Sequence, residues 1–148
     1  MAQKISALGL DLGRKRIGVA GCDGLGLFAT GLTTIERTSF ERDVEKMRSL
    51  VQEREVQVLV VGLPYSMDGT LGTQAKEVQK LAKRLSVALE LPIVYMDERL
   101  TSVEAEEMMK ARGVSPSRNK ATIDRLAAAI ILQQWLDERR AAEGKSGD

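Results

Sequence analysis

The sequence predicts an α/β fold, a mixed five-stranded sheet with helices on both faces. Three observations point there. Three short apolar segments fill the first third of the chain, joined by turns too short for anything but antiparallel neighbours. Beyond Thr38 the apolar spacing alternates between helical and strand-like, as successive β-α-β units require. The fourth strand segment, Val56 to Leu63, is apolar on both faces, the pattern of a central buried strand.

Ile5 to Leu12 is the first strand, stopped by the turn-like cluster Asp11-Leu12-Gly13-Arg14-Lys15. Arg16 to Gly21 is the second, and its glycines mark close backbone approach or a bulge. Cys22 to Gly26 turns the chain into the third strand, Leu27 to Thr34, completing a meander. Ser39 or Thr38 caps a helix with Phe40, Val44, Met47, Leu50 and Val51 at helical spacing, ending near Glu55. After the fourth strand comes a loop, Pro64 to Gly72, with an Asp68-Gly69 turn signal, then a helix from about Thr73 to Leu89. Ile93 to Asp97 is the fifth strand. Thr101, with Glu104 three positions on, opens a third helix that Gly113 stops. The last helix spans about Ala121 to Arg140, apolar at Ile123, Leu126, Ala127, Ile130, Ile131 and Leu136, and Ala141 to Asp148 reads as a frayed tail. The right-handed crossover rule puts the fourth strand parallel to the first, with the fifth beyond it. Residues 1–140 show no repeat or linker, so one domain is expected.

Composition narrows the chemistry. The chain has 148 residues, 43% hydrophobic and 29% charged, enough for a sizeable globular core. A net charge of +1, from 22 basic and 21 acidic residues, excludes coating nucleic acid by bulk charge. With no histidine there is no imidazole base and no His-ligated zinc; with Cys22 alone there is no internal disulfide. Carboxylates holding a hard metal are the leading option for an enzyme. No charged-then-apolar leader opens the sequence and no apolar run is long enough to span a bilayer, so a cytoplasmic location without a membrane partner is expected.

Three acidic positions stand out. Asp11 lies at the exit of the first strand, Asp97-Glu98 ends the fifth, and Asp124 falls in the first turns of the last helix. The carboxyl ends of parallel strands are where ligands bind in open sheets. Taken singly, each has a plainer explanation: a turn former, a solvated charge, a complement to the helix dipole. Converging on one edge without a histidine, they point to Mg²⁺ or Mn²⁺, which prefers oxygen ligands. Strand alternation sends Asp97 and Glu98 to opposite faces, so one of the two faces the metal. Basic residues suit a phosphate substrate: Arg14, Lys15 and Arg16 in the hairpin beside Asp11, and Lys120 four residues before Asp124, with Arg99 and Arg118 weaker. A solvated surface charge is the plainer reading of each. Aromatics are only 3% and scattered, and Trp135 reads as core, so recognition would rest on shape and backbone rather than stacking. The loop Tyr65 to Leu71 sits at the same edge; it either makes a tight turn or folds over bound nucleic acid.

Four blocks follow in order: Gly9-Leu-Asp-Leu-Gly-Arg-Lys-Arg-Ile-Gly-Val-Ala20, Val60-Val-Gly-Leu-Pro64 with Met67-Asp-Gly-Thr70, Asp97-Glu-Arg-Leu-Thr101, and Asn119-Lys120 leading to Ile123-Asp-Arg-Leu-Ala-Ala128. Together they resemble the YqgF family, also called RuvX, of RNase H-like nucleases, across Ile5 to Leu136. Gly21-Cys22 and Ser102 depart from the usual pattern without touching a proposed ligand. The resemblance implies a three-layer RNase H-like fold with sheet order 3-2-1-4-5. It implies a divalent-metal site at Asp11, Glu98 and Asp124, with Glu98 favoured over Asp97. It also implies 5′-end trimming of precursor 16S rRNA, or resolution of four-way DNA junctions, with 5′-phosphate and 3′-hydroxyl products. On that reading Asp11 bridges two ions about 3.5–4 Å apart. Structured precursor rRNA is the expected partner of a monomer or weak homodimer; junction resolution would require a stable homodimer. Two other readings stay open. Asp11-Leu-Gly-Arg-Lys resembles the phosphate hairpin of actin-like ATPases, which need two such domains, and a non-catalytic rRNA-binding assembly factor would have no need of the three acids.

Overall fold

The computed structural model describes residues 5–64, 71–98, 107, 111 and 120–146, with side chains through Ala142. Its strands are β1 (Ala7–Leu12), β2 (Arg16–Cys22), β3 (Ala29–Glu36), β4 (Val58–Leu63) and β5 (Ile93–Asp97). They form one sheet in the order β3-β2-β1-β4-β5. β1 to β3 are antiparallel neighbours, while β4 runs parallel to both β1 and β5. The helices are α1 (Phe40–Arg54), α2 (Thr73–Leu89) and α3 (Lys120–Ser146). The helix expected between Thr101 and Gly113 lies outside the described residues except for Glu107 and Ala111, both helical. Among the described residues no helix is long and apolar enough to cross a membrane.

Local chemistry explains the boundaries. Ser39, not Thr38, caps α1: its Oγ accepts from Arg42 N–H at 3.3 Å, and Asp43 accepts from Thr38 N–H at 3.2 Å. α1 and α2 end on Glu55 and Glu90 in the left-handed conformation (φ 51° and 56°), a role glycine usually fills. β3 begins two residues later than expected because Asp23 accepts from the N–H groups of Leu27 and Phe28, holding them in the turn. The bulge expected in β2 falls opposite β3, where the register slips between Val19 and Ala20. The tail expected to fray from Ala141 instead prolongs α3 to Ser146; Ala141, Ala142 and Glu143 are good helix formers and no proline intervenes.

The sheet has a core on each face. On one, Leu8, Leu10, Leu12, Ile17, Val19, Leu59, Val61 and Leu63 pack against Val44 and Met47 of α1 and Val78, Ala82 and Leu85 of α2. On the other, Ala7, Ala20, Val58 and Val60 pack against Ala128, Ile131, Leu132 and Leu136 of α3, with half-buried Trp135 at the margin. Alternation along β1 assigns Gly9 and Asp11 to the α3 face.

Candidate active site

Asp11 is the fifth residue of β1, at the carboxyl end of the strand, and pairs across the antiparallel ladder with Gly18 of β2. Its predecessor Leu10 pairs with Val61, so on the other side Asp11 approaches Gly62 of β4. A glycine therefore flanks the acid on each side, and both glycines make room.

A Cβ at Gly62 would lie 2.5 Å from a carboxylate oxygen of Glu98 and 2.4 Å from Cδ1 of Ile131. The Glu98 carboxyl thus fills the space a side chain on β4 would take. Glu98 follows directly on β5, and its backbone N–H donates to Leu63 O at 3.2 Å, which anchors it to β4. Asp97 points the other way and is exposed. Glu98 shares the α3 face with Asp11, and the two carboxyls hydrogen-bond to each other.

Gly18 does the same for α3. A Cβ there would lie 2.0 Å from the backbone oxygen of Asp124, so the helix start rests directly on β2. Thr34 of β3 fastens the same turn, its hydroxyl donating to Ala121 O at 2.6 Å. Further along, Gln133 accepts from Ala29 N–H at 2.8 Å and donates to Leu27 O at 2.9 Å, tying α3 to the start of β3. Asp124 is held above the Asp11 strand pair, and its Oδ2 accepts from Arg16 Nε at 2.7 Å, with the two side chains 20% and 30% exposed.

Burial and like charge govern the acids. Loss of solvent, with the nearby Asp124 charge, pushes the Asp11 carboxyl up to about 6, and the hydrogen bond from Glu98 opposes that rise. Burial pushes Glu98 up to about 8, assisted by the charge and hydrogen bond of Asp11 and by the charge of Asp97. Glu98, the weaker acid, carries the proton of the pair and donates it to Asp11. Among the described residues neither carboxyl has a basic ion-pair partner. Among the described residues no three acids converge tightly enough to hold a metal ion as they stand, and Asp124 is turned to Arg16. The donor set nevertheless fits a hard divalent cation: two half-buried carboxyls share a proton that a cation would replace, with a third acid beside them.

The basic residues divide. Arg14 and Lys15 are exposed on the hairpin, and Arg14 reaches Glu77 of α2 at 3.3 Å. Arg16 turns inward to Asp124. Lys120, the first residue of α3, is exposed. Arg99, Arg118 and the 65–70 part of the loop lie outside the described residues. Sequence reasoning left out Gly62 and the Arg16–Asp124 pair. A glycine interrupting an otherwise apolar central strand was the available sign of Gly62; nothing in the sequence signalled a pair whose members are 108 positions apart.

The family described as "RuvX: Holliday junction resolvase" matches residues 5–138. A protein of Crocosphaera subtropica is 71% identical over 140 residues, covering 95% of this chain and 98% of its own. One from Nostoc is 69% identical over 140 residues (95% and 93%), and one from Synechococcus elongatus 66% over 135 (91% and 91%). All three bear the name "Putative pre-16S rRNA nuclease". Among solved structures, Thermus thermophilus RuvC in complex with a Holliday junction substrate shares the RNase H-like fold: TM-score 0.58 at 14% identity, over 92% of this chain and 96% of that one. With all five strands and the acid-bearing turns of α3 inside the matched stretch, the chain belongs to the RuvX family.

Proposed function

We propose that this chain is a divalent-metal-dependent endonuclease that hydrolyses phosphodiester bonds at the 5′ side of precursor 16S rRNA. One observation carries the reading: strands far apart in sequence bring Asp11 and Glu98 together, half-buried and, among the described residues, without a basic partner, at the carboxyl edge of the parallel strands. Acids kept so close are costly to the fold, which makes a cationic ligand their natural partner. The names of the curated relatives support the choice of substrate.

Asp11 and Glu98 would hold the cation, and Asp124 would complete the set on leaving Arg16. When bound, the ion supplies an attacking water of lowered pKa and neutralises charge on the departing oxygen. Arg16 keeps Asp124 at the rim and, once released, leaves a guanidinium beside the substrate phosphate. Exposed Arg14, Lys15 and Lys120 bind backbone on either side. Gly18 and Gly62 fix the approach of α3 and of Glu98 to the sheet, so Asp11 and Glu98 stand side by side before substrate arrives and only Asp124 has to move.

The test incubates purified protein with a precursor-16S 5′ leader RNA and, separately, a four-way DNA junction, each with Mg²⁺, Mn²⁺ or chelator. Metal-dependent RNA cutting that Asp11→Asn abolishes is the expected result. Symmetric junction cutting by a stable dimer would move the function to recombination. Absence of cutting on both substrates, in protein that binds them, would overturn the nuclease reading.

A further inference from the structure

Across the β1–β2 hairpin from the acids, a cleft of about 300 Å³ opens between Gly13 and the middle of α2. Its charged lining is Arg14 and Arg37 on the sheet side and Glu77, Lys80 and Arg84 on α2. Four cations against one anion is an excess the whole chain lacks, its net charge being +1. The anion is already taken, since Glu77 is paired with Arg14.

Two of the remaining cations are held by neutral groups, which orient a charge without cancelling it. Arg37 Nη1 donates to Gly13 O at 2.9 Å and Arg14 O at 3.3 Å. The Arg84 guanidinium stands 3.9 Å over the centre of the Phe40 ring. Lys80 lies between Glu77 and Arg84 on the same face of α2, exposed. Oriented guanidinium groups beside an ammonium make a receptor for phosphate oxygens. The lining has no aromatic ring among the described residues, so it offers no surface on which a base could stack. Leu12 and Gly13, which line the cleft, follow Asp11 directly in the chain. A strand with one phosphate over the acids reaches the cleft by crossing a single hairpin.

We propose that this cleft is a second phosphate site, gripping the sugar-phosphate backbone of the substrate beyond the bond that is cut. The proposal rests on the nuclease reading for its ligand. It makes α2, remote from the acids, part of substrate binding and gives recognition without sequence preference.

The test measures binding of fluorescein-labelled single-stranded leader RNA against salt concentration, in chelator so that no cutting intervenes. Each phosphate contact on a single strand contributes about 0.7 to the salt slope, so Lys80→Ala/Arg84→Ala should make it shallower by about 1.4. Affinity at moderate salt should fall about tenfold. Lys80→Ala alone, which leaves the Arg84–Phe40 stack intact, should give half the slope change, and Lys80→Arg should restore it. Lys83→Ala removes an exposed α2 charge outside the cleft and should change the slope little. A double variant that melts like the parent yet keeps the Lys83→Ala slope overturns the proposal. The two readings fail separately: a shallower slope in a protein that cuts nothing keeps the cleft and removes the nuclease, while cutting with an unchanged slope does the reverse.

Discussion

The two faces of the sheet are built to different rules, and β1 shows both within six residues. Toward α1 and α2 it sends Leu8, Leu10 and Leu12, all buried in an aliphatic layer. Toward α3 it offers Ala7, Gly9 and Asp11. Large side chains keep α1 and α2 at ordinary packing distance, whereas small ones let the α3 backbone rest on the strands, within reach of Gly18 and Gly9. The first face concentrates apolar burial, each large side chain contributing about 1.5–3 kcal/mol. The second gives up some of that burial so that acids from β1, β5 and α3 can meet. Stability and chemistry are divided by a sheet one strand thick.

The sharpest way to break this division is a pair of substitutions, one per face. Leu10→Ala should cost about 2–5 kcal/mol of unfolding free energy, as a cavity in a tight core does. Cleavage per folded molecule should stay near normal. Gly62→Ala should do the opposite: its Cβ displaces the Glu98 carboxyl, and a shift of that kind costs about 100-fold in rate. Its loss of stability should be much the smaller. Chemical denaturation and single-turnover cleavage check both, and a Gly62→Ala enzyme of normal rate would refute the division.

A second prediction concerns pH. In the folded chain the Asp11 and Glu98 carboxyls titrate near 6 and 8, above the range of an unfolded chain. The folded state therefore holds protons that the unfolded state has lost, and stability without metal should fall as pH rises from about 4 to about 8. Mg²⁺ should flatten that fall by replacing the proton, and Asp11→Asn should flatten it without metal. Melting temperatures across the range, with chelator or Mg²⁺, decide it; a metal-free curve already flat between pH 5 and 8 would count against the coupled pair. The smallest effect belongs to the other face. Glu90→Gly relieves a left-handed glutamate at the end of α2 and should add up to about 1 kcal/mol with no change in cleavage.

Much of this was legible beforehand because it is written in spacing. Apolar alternation and turn residues located all five strands, and crossover handedness settled their order. Strand alternation sent Asp97 and Glu98 to opposite faces and left one of them for the acid site. Less visible was anything resting on contacts between distant segments. The inward turn of Arg16 depends on where α3 begins, and that depends on Gly18 and Thr34. The helix ends at Glu55 and Glu90 carry no glycine or proline signal, and the basic cleft joins β1, the segment after β3 and α2. Periodicity has no access to such meetings.

Because α3 follows all five described strands, the acid-bearing face is also the last of the two to be closed. A ribosome delivers β1 with Asp11 first, and the sheet can pair while Asp124 and its helix are still being made. Until α3 docks, Ala7, Ala20, Val58 and Val60 lie bare and the acid set is incomplete. On the proposed nuclease reading, cutting power arrives only once α3 has been made and docked, and a copy stopped before Asp124 should leave the RNA around it intact.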